Sequence, residues 1–164
     1  MDYLLYKSEN YIIDRGLGDW LFPCGNENGA EERPEKEGSG IISTMYFSYM
    51  SKIMAFFAQE LHMSEDVKYF TDLENAIKRK INEVYYDKEK QIYRSPKCEE
   101  YRQTPNILAV KFGICDADGA PAAVKRISED ISLKNNHLDT GIIGTRYLFE
   151  VLTDYGYGEQ AYKI

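Results

Sequence analysis

A polar stretch that leads into an apolar segment is the strongest candidate for a ligand site in this sequence. It contains His137, Asp139 and Thr140, and it is followed by Gly141 and a mainly apolar run up to Leu152. A polar loop that leads into a buried helix places its side chains at the rim of a packed core, where binding sites are common. We therefore expect these side chains to lie at such a rim.

A second polar spot occurs early in the chain, at Gly18-Asp19-Trp20. Gly16 and Gly18 indicate a turn in which backbone segments pack closely. This turn places a carboxylate next to the only tryptophan of the chain. The remaining residues read as helices arranged around the two polar spots.

Composition limits the classes of function. The 164 residues suffice for one domain with a core, and a net charge of −7 argues against binding to nucleic acids or anionic membranes. No apolar run approaches the roughly 20 residues of a membrane span, and the first residues lack a signal-peptide pattern. The compartment, cytoplasmic or periplasmic, stays open.

Three widely spaced cysteines predict neither disulfides nor a zinc site, and we expect no metal or cofactor.

Apolar periodicity predicts an all-α fold. Residues 1–40 read as an irregular entry segment with a long loop at 23–40, and residues 41–164 as helical hairpins of the same single domain, 1–164. Ser43 and Ser64 are the expected caps of the first two strong helices. The predicted helices cover 43–61, 65–86, 103–112, 121–134 and 141–155, and a further helix begins near Ala161. Helices that are apolar all round alternate with helices that have one apolar stripe, which indicates two concentric layers.

Several stretches taken in order resemble the central part of the catalytic domain of bacterial α-L-rhamnosidases, glycoside hydrolase family 78. They are Gly18-Asp19-Trp20-Leu21, Ser43-Thr44-Met45-Tyr46-Phe47, Gln103-Thr104, Asp130-Ile131, the run from His137 to Leu148, the run from Leu152 to Gly156, and Ala161-Tyr162. The resemblance covers nearly the whole chain. It implies an (α/α)6 toroid that hydrolyses terminal α-L-rhamnosyl residues of glycans or glycosides with inversion, by means of one carboxylic acid and one carboxylate.

The catalytic motifs of that family are not present in this sequence. The family's acid lies in an Asp-x-x-x-x-Glu-Arg motif, whereas Glu32-Arg33 has Glu27 at the aspartate position. Its base lies in a Trp-Glu motif, whereas Trp20 precedes Leu21. We therefore assign no catalytic residue here and expect the chain to be inactive alone.

The resemblance leaves Asp19, Trp20 and His137 as the predicted substrate-binding residues for a rhamnose-containing carbohydrate. A carboxylate can hold vicinal hydroxyls, an indole can stack on a sugar ring, and an imidazole can donate to a hydroxyl. Structural roles are the alternatives: a turn hydrogen bond for Asp19, core packing for Trp20 and a satisfied loop position for His137. Asp139 has the alternative role of capping the helix that starts near Gly141.

Other classes of function remain open on sequence alone. The chain is also compatible with another toroid hydrolase, such as an unsaturated glucuronyl hydrolase-like or trehalase-like protein, with a non-catalytic glycan-binding homologue, and with a helical interaction module. Half of a six-hairpin ring would have two apolar cut faces, and we expect a homodimer or a larger assembly. The alternative is that the loop 23–40 and residues 1–17 cover one face.

Overall fold

Seven helices and one short β-hairpin form the part of the chain that the computed structural model describes, residues 1–20 and 39–164. The loop predicted at 23–40 therefore lies, up to residue 38, outside the described residues. The elements are α1 (Asp2–Lys7), α2 (Ser39–Glu60), α3 (Ser64–Tyr85), β1 (Tyr86–Asp87), β2 (Ile92–Tyr93), α4 (Gln103–Lys111), α5 (Ala120–Leu133), α6 (Ile142–Asp154) and α7 (Gly158–Lys163).

The helices pack as hairpins, α2 with α3, α4 with α5 and α6 with α7, and α4 also packs on α2 and α6. The outer helices bury one stripe each, with Ile77 and Ile81 on α3 and Ile127 and Ile131 on α5 fully inaccessible. This confirms the predicted all-α architecture of antiparallel hairpins with two kinds of helix. The two-residue antiparallel hairpin of β1 and β2 was not predicted.

An aromatic cluster around Phe112 joins α2 and α6 to the end of α4. The ring of Phe112 stacks on Tyr49 with centroids 4.2 Å apart, and it meets Tyr46 and Tyr147 edge-on at 5.1 and 5.4 Å. Stacked and edge-to-face pairs each add about 0.5–1.5 kcal/mol beyond simple burial. This cluster fixes how the three inner helices lie relative to one another.

Two predicted helix caps are wrong. The helix α2 begins at Ser39, four residues before Ser43, and Ser64 is the first residue of α3 rather than its cap. The early start of α2 has a packing cause, because Gly40 lies against the Ile13 carbonyl and the Tyr85 hydroxyl, where little space remains for a side chain. A tertiary contact of this kind cannot be read from local sequence.

The prediction that α2 is buried on all faces is also wrong. Its buried residues lie mainly in its first half, while Phe56 and Phe57 in the second half are 56% and 53% exposed. At 22 residues α2 is also long and apolar enough to cross a bilayer by those two criteria, contrary to the sequence expectation. Core helices of water-soluble proteins meet the same criteria, and the first half of α2 lies in the core.

The β-hairpin is closed by the side chain of Asp87. Its Oδ1 accepts hydrogen bonds from the backbone N–H groups of Glu89 and Lys90, at 3.1 and 3.0 Å, and its Oδ2 accepts one from Arg94 Nε at 2.7 Å. The backbone bond from Lys90, followed by the bond from Arg94, holds the pKa of Asp87 below its usual value. A carboxylate bonding to its own turn is typical of such connections.

Candidate functional site

Asp19 is the centre of the candidate site, and it is buried with 2% of its surface exposed. Its Oδ2 accepts hydrogen bonds from the Thr104 hydroxyl and from the Gly141 N–H, the latter at 2.6 Å. Its Oδ1 accepts from the N–H groups of Ile143 and Gly144 at 2.9 and 3.2 Å. Asp19 thus satisfies three N–H groups at the start of α6, which have no partners within the helix.

The two glycines of the predicted site stretch allow this close approach. A Cβ atom at Gly141 would overlap the carbonyl oxygen of Trp20, and one at Gly144 would overlap the side chains of Thr104 and Thr140. Gly141 is therefore required by the approach of a second backbone segment, and Gly144 by two threonine side chains. The two polar spots found in the sequence are one contiguous structure.

Trp20 lies directly beside the first residue of α6. Its carbonyl oxygen accepts a hydrogen bond from the Ile142 N–H at 2.8 Å. The Trp20 side chain is 38% exposed, and Ile142 next to it is 59% exposed. The indole is thus placed at the surface with part of its area accessible to a ligand.

His137 lies four residues before Gly141 and is exposed. Its Nδ1 is 3.0 Å from the carbonyl oxygen of Lys134, and its backbone N–H donates to the same oxygen. Nε2 is the ring nitrogen left for a ligand. The structure therefore brings Asp19 and Trp20 together with the end of this loop, while the hydrogen bonds of His137 go to the end of α5.

Charged and amide groups hold the loop that carries His137. Asp139 pairs with Lys134 at 3.0 Å and with Arg102 at 3.5 Å, and its N–H donates to Gln103 Oε1 at 2.9 Å. Burial acts against the charge of Lys134, but hydrogen bonds to Asp130 and Asp139 outweigh it and raise the pKa of this lysine. The alternative role of Asp139 as a cap of α6 is wrong, because Gly141 occupies the cap position and Asp19 supplies the bonds.

Three residues on the inner helices, Tyr46, Arg146 and Tyr147, interact with one another and were not among the predicted site residues. Tyr46 is half-buried, and burial together with a hydrogen bond to Tyr147 raises the pKa of its hydroxyl. The guanidinium carbon of Arg146 lies 5.4 Å from the Tyr147 ring centroid, and Arg146 is exposed. Tyr46 and Tyr147 belong to helices far apart in the chain, so no local pattern could pair them. The only hint in the sequence was that α2 and α6, which are otherwise mainly apolar, each carry a tyrosine hydroxyl at these positions.

Groups that could form hydrogen bonds or ring contacts with a ligand lie at the surface, while Asp19 itself is engaged within the protein. Trp20, His137 and Arg146 each have exposed surface, whereas both oxygens of Asp19 already accept protein hydrogen bonds. Within residues 1–20 and 39–164, no group of three or more His, Cys, Asp or Glu side chains could hold a metal ion.

Comparison with known families gives one match over the full chain. The model of the bacterial alpha-L-rhamnosidase 6 hairpin glycosidase domain matches residues 1–164. An alpha-L-rhamnosidase of Formosa agariphila is 29% identical over 99% of this chain, and one of Streptomyces avermitilis is 30% identical over 91%. The chain spans only 17% and 13% of the length of these two relatives.

Solved structures show the same fold. The chain superimposes on an alpha-L-rhamnosidase from Dictyoglumus thermophilum with a TM-score of 0.86 and 33% identity, covering 99% of this chain and 18% of that one. The Streptomyces avermitilis alpha-L-rhamnosidase, solved in complex with L-rhamnose, gives a TM-score of 0.79 and 26% identity over 99% of this chain and 14% of that one.

Proposed function

This chain belongs to the bacterial alpha-L-rhamnosidase six-hairpin glycosidase family, and from that premise we propose that it forms part of a catalytic domain that releases terminal α-L-rhamnosyl residues from glycans or glycosides. The observation that carries the proposal is the set of hydrogen bonds from Thr104 and the start of α6 to Asp19. It fixes the only tryptophan beside the start of an inner helix, in a chain whose fold matches solved enzymes of this activity.

Within this proposal, Trp20 and His137 contact the sugar, and Asp19 acts through them. The exposed part of the indole can stack on a pyranose face, and Nε2 of His137 can bond to a hydroxyl. Asp19 serves binding by holding the backbone of Trp20 and Gly141 in place, since its oxygens are engaged within the protein. The hydroxyl of Tyr46 and the guanidinium of Arg146 are further candidates to face the ligand.

The proposed reaction is hydrolysis with inversion of the anomeric centre. It needs a carboxylic acid that protonates the leaving oxygen and a carboxylate that activates water, about 6.5–9.5 Å apart. We assign neither group to this chain, because the motifs that carry them in the family do not occur in its sequence. The chain is therefore proposed to bind sugar without cutting it, and to supply one wall of the site in a longer enzyme.

Intrinsic fluorescence tests the binding step directly, because Trp20 is the only tryptophan. L-rhamnose is the probe, since a relative has been solved with it. We expect a saturable change in Trp20 emission, with a dissociation constant in the millimolar range that corresponds to about −4 kcal/mol. D-glucose serves as the comparison sugar.

The chain offers a matched control for His137, because its only other histidine is the exposed His62 beyond the end of α2. His137→Ala should weaken L-rhamnose binding about tenfold, equivalent to about 1.4 kcal/mol, whereas His62→Ala should leave it unchanged. Equal effects of the two variants, or no response of Trp20 to any sugar, would refute the proposed binding role.

A further inference from the structure

A pocket lies between α3, the β-hairpin and the connection from α4 to α5, and it shares no residue with the site around Asp19. Its volume is about 580 Å³, within the range of about 300–1,000 Å³ typical of small-molecule sites. It is lined by Arg79, Asn82, Glu83, Tyr86, Lys88, Tyr93, Cys115, Asp116, Asp118 and Gly119. None of these residues has a role in the function proposed above.

Two of the lining residues, Asn82 and Tyr93, are held by hydrogen bonds. The hydroxyl of Tyr93 donates to Asn82 Oδ1 at 2.6 Å, and Asn82 Nδ2 donates to the carbonyl oxygens of Lys78 and Ile114 at 3.0 and 3.3 Å. Asn106 exchanges two further bonds with the backbone of Tyr93, at 2.9 and 3.0 Å. These bonds tie α3, β2 and the end of α4 together, so the pocket exists before any ligand arrives.

The lining carries charges of both signs, and the acidic Glu83 on α3 is already paired with Lys80 at 2.8 Å. Arg79 and Lys88 stand on the side of α3 and the β-hairpin, and Asp116 and Asp118 stand on the α4–α5 connection. Within the described residues none of these four takes part in a salt bridge, although Lys68, Lys80 and Lys125 on the same and neighbouring helices all do. Two basic and three acidic side chains line the pocket, and this mixture favours neither a simple anion nor a simple cation.

The lining instead suits a neutral molecule with many hydroxyls. Hydroxyl groups both donate and accept, so they can bond to the guanidinium and ammonium groups on one side and to the carboxylates on the other. The half-buried ring of Tyr86, tilted at 45° to Tyr93 with centroids 5.0 Å apart, adds an apolar surface of the kind that packs on a sugar ring. We propose that this pocket is a second saccharide-binding site, for one or two sugar rings, separate from the Asp19 site.

Cys115 provides a reporter inside the pocket. Its thiol is partly accessible, whereas Cys98 is buried and Cys24 lies outside the described residues. The experiment uses the full 164-residue chain with Cys24→Ser and Cys98→Ser, and follows alkylation of Cys115 by iodoacetamide. Burial and the charge of Asp116 raise the pKa of this thiol, so the rate is best measured at mildly alkaline pH.

L-rhamnose and D-glucose are the sugar probes, and glycine and sodium sulfate are the ionic comparisons. A sugar at twice its dissociation constant should slow alkylation about threefold, because the fraction of free sites falls to about one third. Arg79→Gln and Asp118→Asn should each reduce this protection, while Lys125→Gln, on the exposed face of α5, should not. Circular dichroism confirms that the variants are folded.

The outcomes separate this site from the first one. Trp20→Ala should abolish binding at the Asp19 site and leave sugar protection of Cys115 intact. The proposal would be overturned if no sugar protects Cys115, or if glycine or sulfate protects it equally well. It would also be overturned if protection disappears in Trp20→Ala or survives in both Arg79→Gln and Asp118→Asn. If His137 proves irrelevant to binding but Cys115 is still protected, the second site stands and the function proposed for the first does not.

Discussion

Asp19 caps the helix that begins after Gly141, although 122 residues separate the two in the chain. Local sequence suggested Asp139 for this role, and the structure gives Asp139 to Lys134 and Arg102 instead. The start of an inner helix and the turn that carries Trp20 are therefore one unit.

Asp19→Asn should lower the free energy of unfolding by about 2–3 kcal/mol, because hydrogen bonds to a buried carboxylate are worth about 1.5–3 kcal/mol each and an amide keeps only one acceptor oxygen. Urea unfolding followed by circular dichroism measures the change. Asp154→Asn, at the exposed end of α6, is the control and should stay within about 0.5 kcal/mol. An effect no larger than that of the control would show that Asp19 does not support α6.

Much of the fold could be predicted from the sequence, because helix existence depends on local periodicity. The stripes of α3 and α5 and the short link between α2 and α3 gave the hairpins directly. The early start of α2 and the β-hairpin could not be predicted, because both depend on contacts between separate segments. Gly40 packs against Ile13 and Tyr85, and the backbone of Tyr93 bonds to Asn106.

The sequence identified several residues of the candidate site, but it did not identify the hydrogen bonds between them. Asp19 and Gly141 were both marked as unusual by residue type, but nothing in a sequence states which carboxylate satisfies which helix terminus. Tyr46 and Tyr147 could not be paired for the same reason, since each looks like an ordinary aromatic in an apolar helix.

Gly141→Ala should destabilise the chain by about 2–4 kcal/mol, because a methyl group there would overlap the carbonyl oxygen of Trp20 and the backbone of Asp19, and backbone cannot move aside cheaply. Thermal or urea unfolding tests this. Gly158→Ala is the matched control, since its nearest neighbouring atom is 4.0 Å away, and it should be neutral or stabilising by up to about 1 kcal/mol. A stable Gly141→Ala protein with unchanged Trp20 emission would contradict the close contact.

Lys134→Met should cost about 0.5–1 kcal/mol near neutral pH, a modest value because about a third of the lysine side chain is exposed. The pKa of Lys134 is raised in the folded state, so its contribution is fully present below the unfolded value and is lost as pH rises through the folded pKa, above the ordinary 10.5. The difference between wild type and variant should therefore be constant from neutral pH to about pH 9 and shrink only in stronger alkali.

Unfolding curves at several pH values test the prediction for Lys134. Lys125→Met removes a more exposed pair with Glu129, at 3.8 Å, and should cost only a few tenths of a kcal/mol at any of these pH values. The difference in free energy of unfolding between wild type and Lys134→Met could instead fall already between pH 7 and 9. Lys134 would then lose its charge at a lower pH than its pairing with Asp130 and Asp139 predicts.

The chain should not hydrolyse aryl α-L-rhamnosides, although it is expected to bind L-rhamnose. Positioned proton transfer typically contributes about 10²–10⁴-fold to such reactions, and this chain has no assigned acid or base. Release of the aryl alcohol, followed by absorbance, is the measurement. Turnover that exceeds the buffer rate and is lost in Asp19→Asn, under conditions where that variant is folded, would show that the catalytic carboxylates were misplaced.

The last prediction concerns assembly, which follows from where apolar side chains remain exposed. The sequence predicts Met45, Phe47, Met54, Phe56, Ile142, Ile143 and Phe149 on the cut faces of a half ring. Met45 and Phe47 are instead buried in the core, but Phe56, Ile142 and Phe149 are 56%, 59% and 39% exposed. They lie on the first and third hairpins, at the two ends of the described array. Monomeric proteins seldom expose apolar patches of more than a few hundred Å².

We therefore predict that the 19.0 kDa chain forms a dimer or a larger species at micromolar concentration, most simply a two-fold pair of cut faces. Phe56→Lys together with Phe57→Lys should shift sedimentation equilibrium towards the monomer, because a charge buried in such an interface is costly. Leu133→Lys is the control, since this leucine is 83% exposed but lies on the central hairpin. A wild-type monomer that binds no hydrophobic dye would show that the half-ring interpretation is wrong, and a shift as large in the control would place the contact elsewhere.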